Sequence, residues 1–233
     1  MQKPRPYHHI PIQDSGEPLE EIPLDKFAVI SPHTYQLAGA TYDRYSPYYL
    51  RQGAIDRLLT AQNYLQTLQL GWKLAIFDAY RPVTVQQFMV DYTFRELIQT
   101  KGWQQEDITP EQTESLWEMV YRIWAVPNQN PATPPPHSTG GAIDLTLVDA
   151  TGAVVDFGSP IDEISGRSHP DYYAPDTQES HPTYHRHRLL LKAVMEQAGF
   201  QRHPGEWWHF CYGDQMWAWI AEATSAIYGR VEE

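Results

Sequence analysis

Two adjacent glycines followed by a strict alternation constrain this chain most. In Pro136-His137-Ser138-Thr139-Gly140-Gly141-Ala142-Ile143-Asp144-Leu145-Thr146-Leu147 the glycines permit a tight bend, and the residues after them alternate as a strand does. Extended, that strand sets Ile143, Leu145 and Leu147 on one face, the core side, and Ala142, Asp144 and Thr146 on the other. Asp144 therefore points away from the core, and His137, placed before the bend, can reach back over it. A histidine and an aspartate so placed suit a zinc ion. By themselves they also serve as ordinary turn and hydrogen-bonding residues.

The rest of the chain supplies helices and strands in blocks. The spacing of Ile55, Leu58, Leu59, Leu65 and Leu68 predicts a helix from Arg51 to Leu70, closed by Gly71. Trp72 to Phe77 reads as a strand that stops at Asp78-Ala79-Tyr80-Arg81-Pro82, because Pro82 cannot sit in a central strand but can open a helix over about 83–100. Thr109-Pro110-Glu111-Gln112 has the capping-box pattern and predicts a helix reaching about Ala125. A proline-rich connector, 127–136, leads into His137. Asp149-Ala150-Thr151-Gly152 predicts a hairpin turn into a partner strand at 153–157. A loop follows at 158–182, a helix at 184–197 ended by Gly199, an aromatic strand at 206–212, and a last helix at about 214–228. Residues 1–25 show no period and read as an extended N-terminal arm, on the surface or partly disordered. Residues 27–50 hold five tyrosines among turn formers and no readable period. The pattern predicts an α+β fold: the arm, then one domain at 26–233 with an antiparallel sheet flanked by helices.

Composition narrows the function classes. A net charge of -12 over 233 residues argues against a nucleic-acid surface. No apolar run approaches the ~20 residues that span a bilayer, so no membrane partner is expected. The basic start lacks an apolar stretch behind it, which predicts a cytoplasmic location. The single cysteine, Cys211, excludes an internal disulfide and sits in an aromatic run that predicts burial. Eight Trp and fifteen Tyr in an acidic chain point to core and pocket walls rather than base stacking. Oligomeric state leaves no mark in the sequence.

Two further pieces carry chemistry. Glu206-Trp207-Trp208-His209 sets a carboxylate three residues before a histidine, a spacing that places a base beside a metal ligand, while a Trp-rich strand with one histidine also fits a plain core strand. On a regular strand the two side chains would diverge, so a bend near Glu206 is required, and Pro204-Gly205 can provide it. Arg81, fixed by Pro82 at a strand end, can aim its guanidinium at a substrate oxygen or pair with Asp78.

Together these pieces resemble the D-alanyl-D-alanine dipeptidases, zinc peptidases that include the dipeptidase of vancomycin resistance. The resemblance rests on Asp78-Ala-Tyr-Arg-Pro82, on His137 through Leu147, and on Glu206-Trp-Trp-His209. It extends through Gly158-Ser-Pro-Ile-Asp162, Ser168-His169 and the helix from Arg188 to Phe200, covering roughly 70–212 in the family's order. It implies a zinc D,D-peptidase (Hedgehog-like) fold and one zinc ion held by His137, Asp144 and His209. It further implies Glu206 as catalytic base and acid, and Arg81 as the group that steadies the oxyanion. Asp162 stands where the family receives the substrate's amino group, with Glu163 next door as the alternative. Asp78, Tyr80 and Ser138 are expected around the substrate.

Three ligands leave a coordination position for water, the catalytic rather than the structural pattern. The implied activity is hydrolysis of the small dipeptide D-alanyl-D-alanine. The rival readings are a D,D- or L,D-carboxypeptidase acting on peptidoglycan stem peptides and a non-catalytic zinc-binding module. His33, His181 and His203 lie in turn-rich stretches, and His185 and His187 are too close in sequence to share a helix face.

Overall fold

The alternating strand after the glycines becomes the centre of the fold. In a computed structural model describing residues 5–232, the strands are β1 (Leu19–Glu21), β2 (Ala28–Val29), β3 (Tyr49–Arg51), β4 (Lys73–Asp78), β5 (Ala142–Val148), β6 (Gln201–Arg202) and β7 (His209–Cys211). The helices are α1 (Thr34–Leu37), α2 (Gln52–Leu68), α3 (Val83–Thr100), α4 (Pro110–Ile123), α5 (Pro182–Gln197) and α6 (Gln215–Ile220). The main sheet has the order β2-β4-β5-β7-β6, and β1 pairs separately with β3. The α+β architecture is as expected. All neighbours run antiparallel except at one edge, where the two-residue β2 lies parallel to β4. So short a strand has no alternation to read.

Ile143, Leu145 and Leu147 do face the core, where they meet Leu74 and Ile76 of β4 and Phe210 of β7. Two helices cover this face: α2 with Ala54, Ile55, Leu58, Ala61 and Leu65, and α5 with Leu191, Val194 and Met195. Gln62 is the polar exception on α2. Its side chain accepts from the Leu74 amide at 2.8 Å and donates to the Trp72 carbonyl at 3.1 Å, so it fixes the start of β4 against the helix. A second cluster joins α3 and α4 through Val85, Met89, Val90, Val120 and Trp124, together with Tyr35. Thr109 caps α4 through the full capping box, as its sequence predicts. Among the described residues no helix is long and apolar enough to cross a membrane.

Several expectations change. Residues 153–157 form no strand: Val148 and Val154 make an isolated bridge, and Asp149 folds back on the Thr151 and Ala153 amides. The aromatic stretch is extended only over His209–Cys211, with β6 as its partner, because Pro204-Gly205 turns the chain before Glu206. The last helix stops at Ile220, after six residues capped by Asp214. The described part of the arm is docked: Tyr7, Ile10 and Ile22 are buried, and β1 lies in it. Residues 1–4 lie outside the described residues.

Arg51 holds the arm in place. Its buried guanidinium donates to the carbonyls of Glu17, Thr139 and Gly229 and to the Asp14 carboxylate, joining the arm, the His137 turn and the chain's end. That turn is a single 3-10 helix, Pro136–Thr139, which ends at Gly140 with φ of 71°. Gly141 sits so close to the next segment that a Cβ there would strike the Tyr212 carbonyl oxygen. Its own carbonyl accepts from the Tyr212 amide at 2.8 Å, so the segment cannot simply move away. Gly141→Ala is therefore expected to destabilise the fold by about 1–3 kcal/mol, read as a lower urea midpoint with unchanged slope.

Candidate active site

Strand register assembles the site. Asp78 of β4 lies opposite Asp144 of β5, and Asp144 lies opposite His209 of β7, so three functional side chains form a row across the sheet. Asp78 joins the row only because the register shifts between Ile76 and Asp78. With regular alternation it would follow Leu74 and Ile76 into the core; the extra residue of the bulge re-aims it. His137 comes down from the 3-10 turn above β5. Its Nδ1 lies 2.6 Å from the Ala79 carbonyl, to which it donates, and its Nε2 faces His209 Nδ1 at 3.1 Å and Asp144 Oδ2 at 3.2 Å. His209 Nδ1 in turn lies 2.9 Å from Asp144 Oδ1.

This donor set fits a metal ion. One ligand atom from each of His137, Asp144 and His209 lies within 4.8 Å of the others, and all three residues are buried. With its proton committed to Ala79, the His137 ring presents a lone pair to the cluster, the tautomer a metal requires. Burial lowers the pKa of His209, which favours the neutral ring. Burial opposes the charge on Asp144, yet the two histidines outweigh it and hold that carboxyl well below the ordinary range. Two ring nitrogens turned towards one carboxylate at these distances form a cation site by donor type and geometry.

Arg81 is locked beside the cluster. Its Nε and Nη2 donate to Asp78 Oδ2 at 3.0 and 2.8 Å, and Nη1 donates to Gln86 Oε1 at 2.9 Å. Nη2 also reaches Tyr35 Oη at 3.1 Å and Asp144 Oδ2 at 3.2 Å. Tyr35 and Trp124 present their ring faces to the guanidinium at 4.8 and 5.0 Å. Asp78, fully buried behind it, is held by His33 Nε2 at 3.1 Å and by Tyr42 Oη at 2.9 Å. Asp78 therefore orients Arg81 and does not line the pocket.

Glu206 and Asp162 line the same pocket as Arg81, His137, Asp144 and His209. Burial first, then the carboxylates of Asp144 and Asp162, raise the pKa of Glu206 well above its ordinary value. Burial, and after it Asp144, raises Asp162 to about 7. Asp162 accepts a 2.7 Å hydrogen bond from Tyr35 and has φ of 63°, a left-handed conformation that aspartate tolerates better than most residues. Glu163 points elsewhere, pairing with Arg167 at 2.7 Å on the surface. The loop carrying Asp162 is pegged by the buried Arg188, which donates to the carbonyls of Phe157, Arg167 and His169. Trp207 completes the tie through its indole N–H to Ser159 Oγ at 2.9 Å and its ring stacked on Phe157 at 4.3 Å. Tyr80 and Ser138 lie apart from this pocket. Both border a separate recess with Val83, Gln129 and Arg230, and the Ser138 hydroxyl donates to the Pro135 carbonyl.

Sequence reasoning missed the outer residues of the site. His33, Tyr35 and Tyr42 come from the tyrosine-rich stretch that has no period, and only its aromatic density marked it. Arg5 and Tyr7 of the arm reach the pocket, and His203 stands with its Nδ1 3.6 Å from Glu206 Oε1. Burial drives His203 down to about 3, so its ring is neutral. The Cys211 thiol is buried and pushed up by burial and then Asp214, which makes it inert.

A family model described as D-ala-D-ala dipeptidase, of the M15 peptidases, matches residues 29–226. A D-alanyl-D-alanine dipeptidase of Synechocystis sp. is 50% identical, over 98% of this chain and 97% of that protein. One of Escherichia coli is 35% identical over 60% of this chain and 55% of that protein. A solved structure of the vancomycin-resistance D,D-pentapeptidase VanY in complex with Zn(II) is 14% identical, covering 85% of this chain and 90% of that chain with a TM-score of 0.45. On the family match and on identity along nearly its whole length, this chain belongs to the D-alanyl-D-alanine dipeptidase family of M15 peptidases.

Proposed function

We propose that this protein is a zinc-dependent dipeptidase that hydrolyses D-alanyl-D-alanine to two molecules of D-alanine, with one zinc ion per chain. The observation that carries the reading is the convergence of His137, Asp144 and His209 in a pocket that Glu206 and Arg81 also line. Family membership supports the substrate class.

His137, Asp144 and His209 would hold the zinc ion, which would supply a Lewis acid to lower the pKa of water and polarise the peptide carbonyl. Glu206 takes the proton of the attacking water and passes it to the nitrogen of the departing residue. Its buried setting supports both steps, since a raised proton affinity makes it a competent base first and a competent acid afterwards. Arg81 faces the negative charge that develops on the peptide oxygen. Asp78, Gln86 and two aromatic rings hold its guanidinium still, so it needs no reorganisation as the charge grows.

Asp162 receives the ammonium group of the substrate. An arriving cation would pair with a carboxyl that burial and then Asp144 have pushed up to about 7, and Tyr35 keeps that carboxyl in place. An N-blocked peptide would leave the buried group unpaired, which limits the enzyme to free dipeptides.

The direct experiment is release of D-alanine from D-alanyl-D-alanine by the zinc-loaded protein. Release is expected from the free dipeptide and not from its N-acetyl derivative, and it should stop with a chelator and return with zinc. A zinc-loaded protein that leaves the dipeptide intact contradicts the proposal. In Glu206→Gln, kcat should fall by roughly 100- to 10,000-fold, the range for losing a general base. Metal analysis of the same variant should find zinc retained, and an unchanged kcat would remove Glu206 from the mechanism.

A further inference from the structure

The substrate proposed above is a zwitterion, and its carboxylate also needs a partner once it leaves water. Arg81 is committed elsewhere: Asp78, Gln86, Tyr35 and Asp144 hold its guanidinium in place, and its charge faces the peptide oxygen. The other guanidinium lining the pocket belongs to Arg5, at the start of the described arm.

Arg5 is positioned from both sides. Its Nη2 donates to the Tyr121 carbonyl at the end of α4, at 2.9 Å. Two residues on, Tyr7 is buried in a cluster with Ala142, Cys211 and Met216, so the arm is anchored against the floor of the site. Among the described residues no carboxylate pairs with Arg5, and its Nε and Nη1 have no acceptor. The guanidinium lines the pocket together with Glu206 and His203. After burial and the carboxylates of Asp144 and Asp162, the charge of Arg5 is the next influence on Glu206, and it also acts on His203. Asp162 is held by Tyr35, which also meets Arg81. Glu206 delivers its proton to the departing residue, and that residue bears the carboxylate.

We propose that Arg5 binds the C-terminal carboxylate of the substrate, so that the arm supplies the second of two charged ends that measure a dipeptide's length. This inference rests on the dipeptidase reading. Asp162 and Arg5 bracket the reacting bond, one for the free amine and one for the free carboxylate, and a longer peptide cannot satisfy both. Residues 29–226 carry the family match, so this half of the substrate grip comes from outside it.

The test compares kcat/KM for D-alanyl-D-alanine and for D-alanyl-D-alaninamide, which lacks the carboxylate charge, in zinc-loaded wild type, Arg5→Ala and Arg5→Lys. Arg5→Ala should lose roughly 10- to 100-fold on the free acid, mostly through KM, on the scale of a charged hydrogen bond. It should lose little on the amide, so the acid-to-amide ratio collapses, and Arg5→Lys should restore part of that ratio. Equal losses on both substrates would mean that Arg5 only braces the arm and would overturn the inference, as would an unchanged ratio. A wild-type enzyme that cleaves neither substrate would instead overturn the dipeptidase reading beneath it.

Discussion

The structure depends on one register: Asp78, Asp144 and His209 side by side on three neighbouring strands. The row exists because β4 gains a residue between Ile76 and Asp78, and because Asp144 falls on the face of β5 opposite its aliphatic neighbours. A slip of one residue in either pairing would bury a carboxylate among Leu74, Ile76 and Leu145 and turn an aliphatic side chain to the site. The apolar face of β5, packed under α2 and α5, penalises that slip, so the core that stabilises the fold also sets the position of the chemistry.

Charge balance accounts for much of the rest. Asp78, Asp144, Asp162 and Glu206 are all buried or line the buried pocket, and among the described residues Arg81 and Arg5 are the cations that oppose them there. Two guanidinium groups and the one zinc ion proposed would bring four carboxylates to neutrality, and the proposed dipeptide zwitterion would leave that balance unchanged. Buried groups of like sign without such compensation shift their protonation instead, as the raised proton affinities of Asp162 and Glu206 record. The buried ring of partners around Arg81 serves position rather than stability, since a buried ion pair returns little net free energy beyond its desolvation cost.

How much of this could be read from the residues alone differs between local and distant features. The glycine bend, the alternation after it, the capping box at Thr109 and the helix opened by Pro82 are local patterns, and each forms where its spacing predicts. The bulge at Asp78 is a relation between two strands and leaves no local mark. Arg51 and Arg188 organise the arm and the Asp162 loop largely through backbone carbonyls, which any sequence possesses. The arm itself has no period because it adds one short strand and a few anchored side chains rather than a helix face. The 153–157 segment fails as a strand for a related reason: Asp149 draws the turn's amides to its own carboxylate, leaving one bridge where a ladder was expected.

An anomalous difference map recorded at the zinc edge from crystals of the zinc-loaded protein tests most directly whether this register builds a zinc centre. One peak per chain is expected, about 2.0–2.2 Å from His137 Nε2, an Asp144 carboxylate oxygen and His209 Nδ1. A peak ligated by other side chains, such as His33 or His203, or no peak between these three residues, would contradict it.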